Sequence, residues 1–543
     1  MEILDLHPLT QDDAGLDAHS TNRLNSARPR LVALFAATAL AATLTACGGG
    51  GDGGTSPFPV PPPPPPPPAS DAAQVCAPTN PYRSDALDTT RTGTLDNEKA
   101  WIHSYMNQAY LWFGEIPSVD ASAAMFSNTS DVYLSLDNYF TAQLTPALTP
   151  SGKRRDQFSF TYPTKAWNDL INSGSTSGYG INWAADSWNS LPRGIRIATV
   201  EPGSPAALAG LMRGDLLVTA DGASADASDS AGIDTLNAAL FPSANGESHR
   251  FTFTRVDGSS ITRSVTSADV TLDPVPTTLV LDNAGAKVGY IVFNDHIASS
   301  EQKLIDAITA LKAAAVTDLV LDLRYNGGGY LYLASELAYM VAGSGPTAGK
   351  VFEHLQYNSK RSSETNSEDA KTPFYDTSCI LDSNFECSRR QALPTLNLSR
   401  VTVIATDSTC SASEAIINGL RGVDIDVRVI GSTTCGKPYG FTAKDNCGIS
   451  YFPIEFKGVN QKGYGDYADG FTPTCPVSDD FTRALGTVEE GMLSAALYNL
   501  THNACDVAAA QASRRSILAS GERATPRLLR GPWRESKIAL PRR

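Results

Sequence analysis

The sequence predicts an α/β core preceded by a smaller β-rich module and a helical N-terminal segment. Three observations carry this: strand and helix signals alternate from Thr277 to about Ala508, short β-branched runs fill Ser177 to about Ala268, and aromatic residues recur at helical spacing after Leu95. The 543 residues suit several domains, at roughly 150 residues for each. Apolar residues at 42% and charged residues at 18% are the composition of a folded, water-soluble chain. The net charge of −14 argues against a protein that neutralises phosphate backbones, so no nucleic-acid partner is expected.

Arg28 and Arg30 precede an apolar run from Leu31 to Ala46, which is short for a membrane span and has the order of a secretory signal. Its end, Leu44-Thr45-Ala46-Cys47, resembles the lipobox of bacterial lipoproteins. That resemblance makes 1–46 a signal peptide with an N-terminal extension and Cys47 the lipidated residue. Residues 47–75, with glycines and then prolines from Pro61 to Pro68, are expected to be a linker that ends in a polyproline II spacer. The expected location is the bacterial cell envelope, with the chain lipid-anchored on the periplasmic or the surface side of the outer membrane.

In 76–176, Trp101, Tyr105, Tyr110 and Phe113 share one helical face, and Asp131–Leu144 repeats the pattern. A small helical domain is expected there. In 177–270, runs such as IRIATV and HRFTFTRV alternate with Gly and Pro turns around one helical run, AGIDTLNAALF. Val200-Glu201-Pro202-Gly203-Ser204-Pro205-Ala206, Arg213-Gly214-Asp215 and Asp221-Gly222 resemble the PDZ domains of bacterial proteases. This implies capture of extended C-terminal peptides by strand addition, with Gly178, Tyr179, Gly180 and Ile181 as the loop that holds the carboxylate.

In 271–508 the strands VGYIVF, DLVLDLR, VTVIATD and DVRVIG alternate with helices. Lys350 to Thr395 breaks the alternation and is expected to be a functional insertion or lid. Residues 509–543, rich in Lys and Arg but interrupted by prolines, are expected to be a disordered basic tail. Eight cysteines follow Cys47, an even number that suggests up to four disulfides. Cys379–Cys387 and Cys435–Cys447 are the local pairings to expect. No cysteine or histidine pair has zinc-ligand spacing, so neither a metal nor an organic cofactor is expected.

Chemistry concentrates in two loops that leave strand ends, where open α/β sheets collect ligands. In Asp322-Leu323-Arg324-Tyr325-Asn326-Gly327-Gly328-Gly329, three glycines expose backbone N–H groups, and the absence of a GK[ST] turns the reading from phosphate loop to oxyanion hole. In Cys410-Ser411-Ala412-Ser413-Glu414 a serine begins a helix, either as a cap with Glu414 or as a nucleophile beside the Ala412 N–H. Lys437, after the next strand, is the candidate base, because a desolvated lysine can accept a proton. His296 is the alternative.

The ordered set DLRxNxGG, S-A-S-E and a later GK resembles the S41 family of serine peptidases, the C-terminal processing or tail-specific proteases. The resemblance implies a ClpP/crotonase-like α/β sandwich. It further implies Ser411 as nucleophile, Lys437 as base, and Gly329 (or Gly328) with Ala412 as oxyanion donors. Protein or peptide substrates with free C-termini follow from the same resemblance. The chain departs from the family where many members carry Gln four residues after the lysine, since Phe441 stands here. That departure favours the alternative, a catalytically silent peptide-binding lipoprotein.

Overall fold

Apolar residues at helical spacing need a surface to pack on, and the helix Leu95–Ala109 (α1) finds one outside its own segment. It starts where Thr94 Oγ1 accepts the Asn97 N–H at 3.3 Å and Asn97 Oδ1 accepts the Thr94 N–H at 2.9 Å, a reciprocal cap. Its Trp101, Ile102 and Tyr105 face join the helix Val132–Thr141 (α2) and the strand Phe160–Pro163 (β1) in one aromatic core. That core also takes in Tyr439, Phe441, Tyr451 and Phe452. The computed structural model describes residues 72–187, 191–242, 244–381 and 387–506 together with Arg527–Leu529 and Ile538–Ala539. Cys47, the signal-like run and the prolines lie outside the described residues.

The region 181–266 contributes the antiparallel strands Ile181–Ala185 (β2), Arg196–Val200 (β3), Leu216–Ala220 (β4), Ser248–Thr254 (β5) and Ser260–Thr266 (β6). They lie in the order β6-β5-β4-β3-β2, and the helix Ser230–Leu240 (α3) packs on them over a separate core that includes Trp183, Ile197, Leu236 and Phe251. Arg527–Leu529 adds to the β2 edge antiparallel. Ile538–Ala539 pairs in parallel with Gly329–Tyr330. Two stretches of the segment expected to be structureless are therefore strands.

The central sheet begins with an antiparallel hairpin, Thr277–Asn283 (β7) and Ala286–Val292 (β8). Parallel strands follow: Asp318–Asp322 (β9), Arg400–Ala405 (β10), Asp426–Gly431 (β11) and the short Cys475–Pro476 (β12). Every residue of β9 is buried, as in a strand covered on both faces. Leu319 and Leu321 point into a core shared with the helices Ser300–Ala313 (α4), Leu331–Ala342 (α5) and Ala412–Gly422 (α6). Val320 points the other way, to a core shared with the helix Gly491–His502 (α7). The period of two thus builds a three-layer sandwich.

The segment from Lys350 is more regular than expected. It opens with the strand Val351–Tyr357, which pairs with Phe456–Val459. The N-terminal helices also differ from expectation in not standing apart, because β1 pairs with Ile449–Phe452 and the aromatic core is common.

The cysteines correct one expected pairing. Cys379–Cys387 is a disulfide, but Cys435 pairs with Cys410 and Cys447 with Cys76, while Cys475 pairs with Cys505. Closeness in sequence misled because Cys435 and Cys447 leave opposite ends of a loop that runs from the sheet to the N-terminal helices. Cys76–Cys447 closes a loop of 371 residues. The double variant Cys76→Ser/Cys447→Ser is expected to lose about 2–5 kcal/mol of stability. Thermal denaturation without reductant reads this as a lowered Tm, and an unchanged Tm would refute it.

Candidate active site

Strands β9, β10 and β11 are parallel neighbours, so their carboxyl ends deliver three loops to one place. From β10 the chain turns through Thr406–Cys410 into α6, with Ser411 at φ 60° and ψ −118°. A non-glycine residue rarely holds such a conformation, which costs about 1–3 kcal/mol and persists only where the surroundings over-determine it. Here they do. The Cys410 N–H donates to the Asn326 carbonyl at 3.0 Å, and Ser413 Oγ donates to the same oxygen at 3.1 Å. Ser411 is fully buried, and among the described residues its Oγ has no hydrogen-bond partner. Ser411 and Glu414 stand as a capping-box pair at the start of α6, whose well-formed hydrogen bond is Ser411 N–H to Glu414 Oε2 at 3.0 Å.

The glycine loop packs directly on this turn. A Cβ on Gly328 would sit 2.7 Å from Ser411 Cβ and 2.9 Å from the Ala412 nitrogen, and one on Gly329 would sit 2.3 Å from the His296 carbonyl oxygen. Their φ values, 97° and 140°, exclude other residues as well. Asn326 holds the loop: its Oδ1 accepts the Gly328 N–H at 2.9 Å and contacts His296 Nδ1 at 3.0 Å, and its Nδ2 donates to the Phe293 carbonyl at 3.0 Å. The Gly328 N–H, the alternative oxyanion donor expected from the sequence, is thus engaged within the loop. Ala412, the first residue of α6, has no acceptor within its own helix for its N–H.

His296 is buried against Phe293, 4.4 Å between ring centroids, and its Nε2 has no partner among the described residues. Burial pushes this imidazole down to about 3. It braces the glycine loop from behind: its N–H donates to the Gly328 carbonyl and its carbonyl accepts from the Tyr330 N–H.

Lys437 follows β11 and is fully buried. Its Nζ lies 4.4 Å from the centroid of the Phe441 ring and 5.3 Å from that of Phe158. The Glu414 carboxylate binds the two loops together: besides the Ser411 N–H it accepts the Lys437 N–H at 2.8 Å, the Gly436 N–H at 2.9 Å and the Thr434 hydroxyl at 2.5 Å. Burial raises the Glu414 carboxyl, and these donors oppose the rise. Cys410–Cys435 crosses the same gap covalently. Cys410, Glu414 and Cys435 have donor atoms within 4.8 Å of one another, a metal-ligand spacing. The sulfurs are bonded to each other and the carboxylate is engaged, so this set offers no ready cation site.

Beneath the glycine loop, Arg324 Nη1 donates to Asp479 at 2.7 Å and to Glu490 at 2.8 Å, and its Nη2 donates to Asp322 at 2.8 Å. Arg213, from the β-rich module, donates to Asp479 at 2.6 Å and to the Tyr325 hydroxyl. Burial would raise the Asp479 carboxyl, but Arg213 and Arg324 outweigh it and hold the group below the usual range. Module and catalytic-type loop thus share one buried ion network.

Residues 287–445 match the profile of peptidase family S41. The chain carries an S41 peptidase domain. A chloroplastic C-terminal processing peptidase of Tetradesmus obliquus is 27% identical over 216 residues, 37% of this chain and 44% of the relative. A carboxyl-terminal-processing protease of a Picosynechococcus strain is 33% identical over 176 residues, 31% of this chain and 39% of the relative. The chain thus spans less than half the length of these curated relatives. An S41 protease structure from Bacteroides fragilis shares the fold, with TM-score 0.54 at 23% identity over 74% of this chain and 97% of that one.

The S41 domain brings Ser411, Ala412, Gly329 and Lys437 to adjoining loops. Gly178, Tyr179, Gly180 and Ile181 lie elsewhere, lining a pocket at the start of β2 with Glu201, Leu240 and Phe241. Gly180 is needed there, since a Cβ would come within 2.3 Å of Ser204. Sequence reasoning missed Asn326, Arg324, Arg213 and the Cys410–Cys435 bridge. The first two stand inside the DLRYNGGG motif, where polar side chains just before a run of glycines were a usable signal. Arg213, far away in sequence, gave none.

His296 generates a prediction. Its ring stays neutral in the folded S41 domain down to about pH 3, whereas the unfolded chain binds a proton near 6.5. Stability from this residue is therefore lost as pH falls from about 6.5 toward 3, at about 1.4 kcal/mol per pH unit. Urea denaturation across this range should show a shallower pH dependence in His296→Gln. Parallel wild-type and variant curves, or an imidazole seen charged by NMR at about pH 5, would contradict it.

Proposed function

We propose that the protein is a serine endopeptidase that cleaves proteins with exposed C-terminal tails, using Ser411 as nucleophile and Lys437 as base. The observation that carries this reading is a buried serine hydroxyl in a strained turn, tied through Glu414 to the loop of a buried lysine. A hydroxyl used for structure would have taken a partner there.

In the proposed reaction the neutral Lys437 amine removes the Ser411 proton as Oγ attacks the scissile carbonyl carbon. The carbonyl oxygen, now negative, receives the N–H groups of Gly329 and Ala412. Lys437 then returns the proton to the leaving amine as the C–N bond breaks. A water, deprotonated by Lys437, releases the acyl group and restores the hydroxyl. Phe441 and Phe158 turn their rings toward the amine. Their apolar bulk disfavours the charged form, while their ring faces attract it at short range.

Substrate capture is assigned to the PDZ-like module, with Gly178, Tyr179, Gly180 and Ile181 receiving the peptide carboxylate. Supporting this, the β2 edge already accepts an added strand, Arg527–Leu529. A lipid on Cys47 and an envelope location complete the reading, with no metal, organic cofactor or nucleic acid.

Phe441, which offers no hydrogen bond to orient the lysine, favours a second reading, a silent peptide-binding lipoprotein. Hydrolysis of an unfolded protein with an apolar C-terminus separates the two. Ser411→Ala should abolish cleavage, by orders of magnitude, whereas Ser408→Ala keeps most of it. Lys437→Arg should also be inactive, because a guanidinium does not give up its proton. Peptide binding by the module should survive in both. An active Lys437→Arg variant would refute the dyad, and wild-type protein that binds without cleaving would favour the silent reading.

A further inference from the structure

The Cys410–Cys435 disulfide joins the residue next to Ser411 to the residue two before Lys437. We infer that this bridge is a positioning element of the Ser411/Lys437 site and that opening it reversibly switches the site off. The inference rests on the proposed peptidase reading for its activity readout, but its geometry stands by itself.

The two loops leave neighbouring strands, and ties that cross between them include Cys435 N–H to the Thr409 carbonyl at 3.1 Å and the donors converging on Glu414. All of these lie within a few residues of the bridge. Ser411 needs such over-determination, because relaxing φ from +60° into the ordinary range would swing its Oγ away from its present direction. On its far side Asn326 anchors the turn to the glycine loop, not to the lysine. Among the described residues the bridge is the one covalent constraint between the serine turn and the lysine loop.

The other three bridges have no such place. Cys379–Cys387 spans eight residues, Cys475–Cys505 ties the edge of the sheet to the end of α7, and Cys76–Cys447 fastens the N-terminal segment. Cys410 is fully buried, but Cys435 is partly exposed, which gives a reductant a way in. A thiolate of a dithiol attacks Cys435 Sγ and the Cys410 sulfur leaves as a thiolate. The reagent's second thiol then displaces Cys435, so the protein gains two electrons and two protons and the reagent ends as its own disulfide.

The test uses full-length protein. Cys410→Ala/Cys435→Ala should lower kcat about 10- to 100-fold with KM little changed. Hydrogen exchange should quicken at the amides of both 408–414 and 433–438. The control Cys379→Ala/Cys387→Ala should leave kcat, KM and exchange in these loops as in wild type. Unchanged kcat and unchanged exchange in the first variant would overturn the inference. If wild-type protein does not cleave, the peptidase reading fails, and the exchange measurement still decides whether the bridge orders the two loops. If the variant does not fold, wild-type protein is titrated with a dithiol while mass spectrometry follows each bridge. Activity should fall with the opening of Cys410–Cys435 and return on reoxidation. Full activity with that bridge open would overturn the proposal.

Discussion

A carboxylate buried among backbone N–H groups is costly unless nearly every lone pair is used, and Glu414 meets that condition with donors from two loops. Desolvation alone would favour a protonated, neutral group. The four donors draw the loops inward to satisfy it, so the cost of burying the carboxylate becomes a force that sets the distance between the serine turn and the lysine loop. Much else follows from that closeness: the strained Ser411 backbone and the glycines that approach it.

The supports of this arrangement come from three different parts of the chain. The sheet supplies the loops at the carboxyl ends of β9, β10 and β11. The β-rich module supplies Arg213, which joins Arg324 among three carboxylates below the glycine loop. A buried cluster of this kind tolerates little misalignment, because each charge depends on its partners for compensation. The N-terminal helices supply an aromatic core that continues into Phe441 and Phe452. Rigidity therefore reaches the site through ionic contacts on one side and through ring packing on the other.

Local patterns were legible in the sequence. The period-two strands, the helix faces and the glycine triplet before α5 all announce themselves over a few residues, and the structure has them. Contacts across long separations were not legible. Cys435 and Cys447 looked like a pair because they are near in sequence, yet they close rings with Cys410 and Cys76. The segment 76–176 looked self-contained because its aromatic face is strong, but the partner of Trp101 is Tyr451, 5.3 Å away between ring centroids. Glu414 was legible as a cap, whereas its hold on the lysine loop depended on a strand pairing that spacing alone does not reveal.

The aromatic wall behind Lys437 has a consequence for anyone wishing to excise the catalytic part. The segment recognised as peptidase, 287–445, contains Ser411, Lys437 and Phe441 but stops short of Phe452, which stacks on Phe160 at 4.2 Å, and it excludes Phe158 and Trp167 as well. Cut there, the lysine would keep its neighbours in sequence and lose its roof. Water would reach the buried side chain. The smallest portable unit that keeps Lys437 enclosed therefore reaches back into the first helices of the chain.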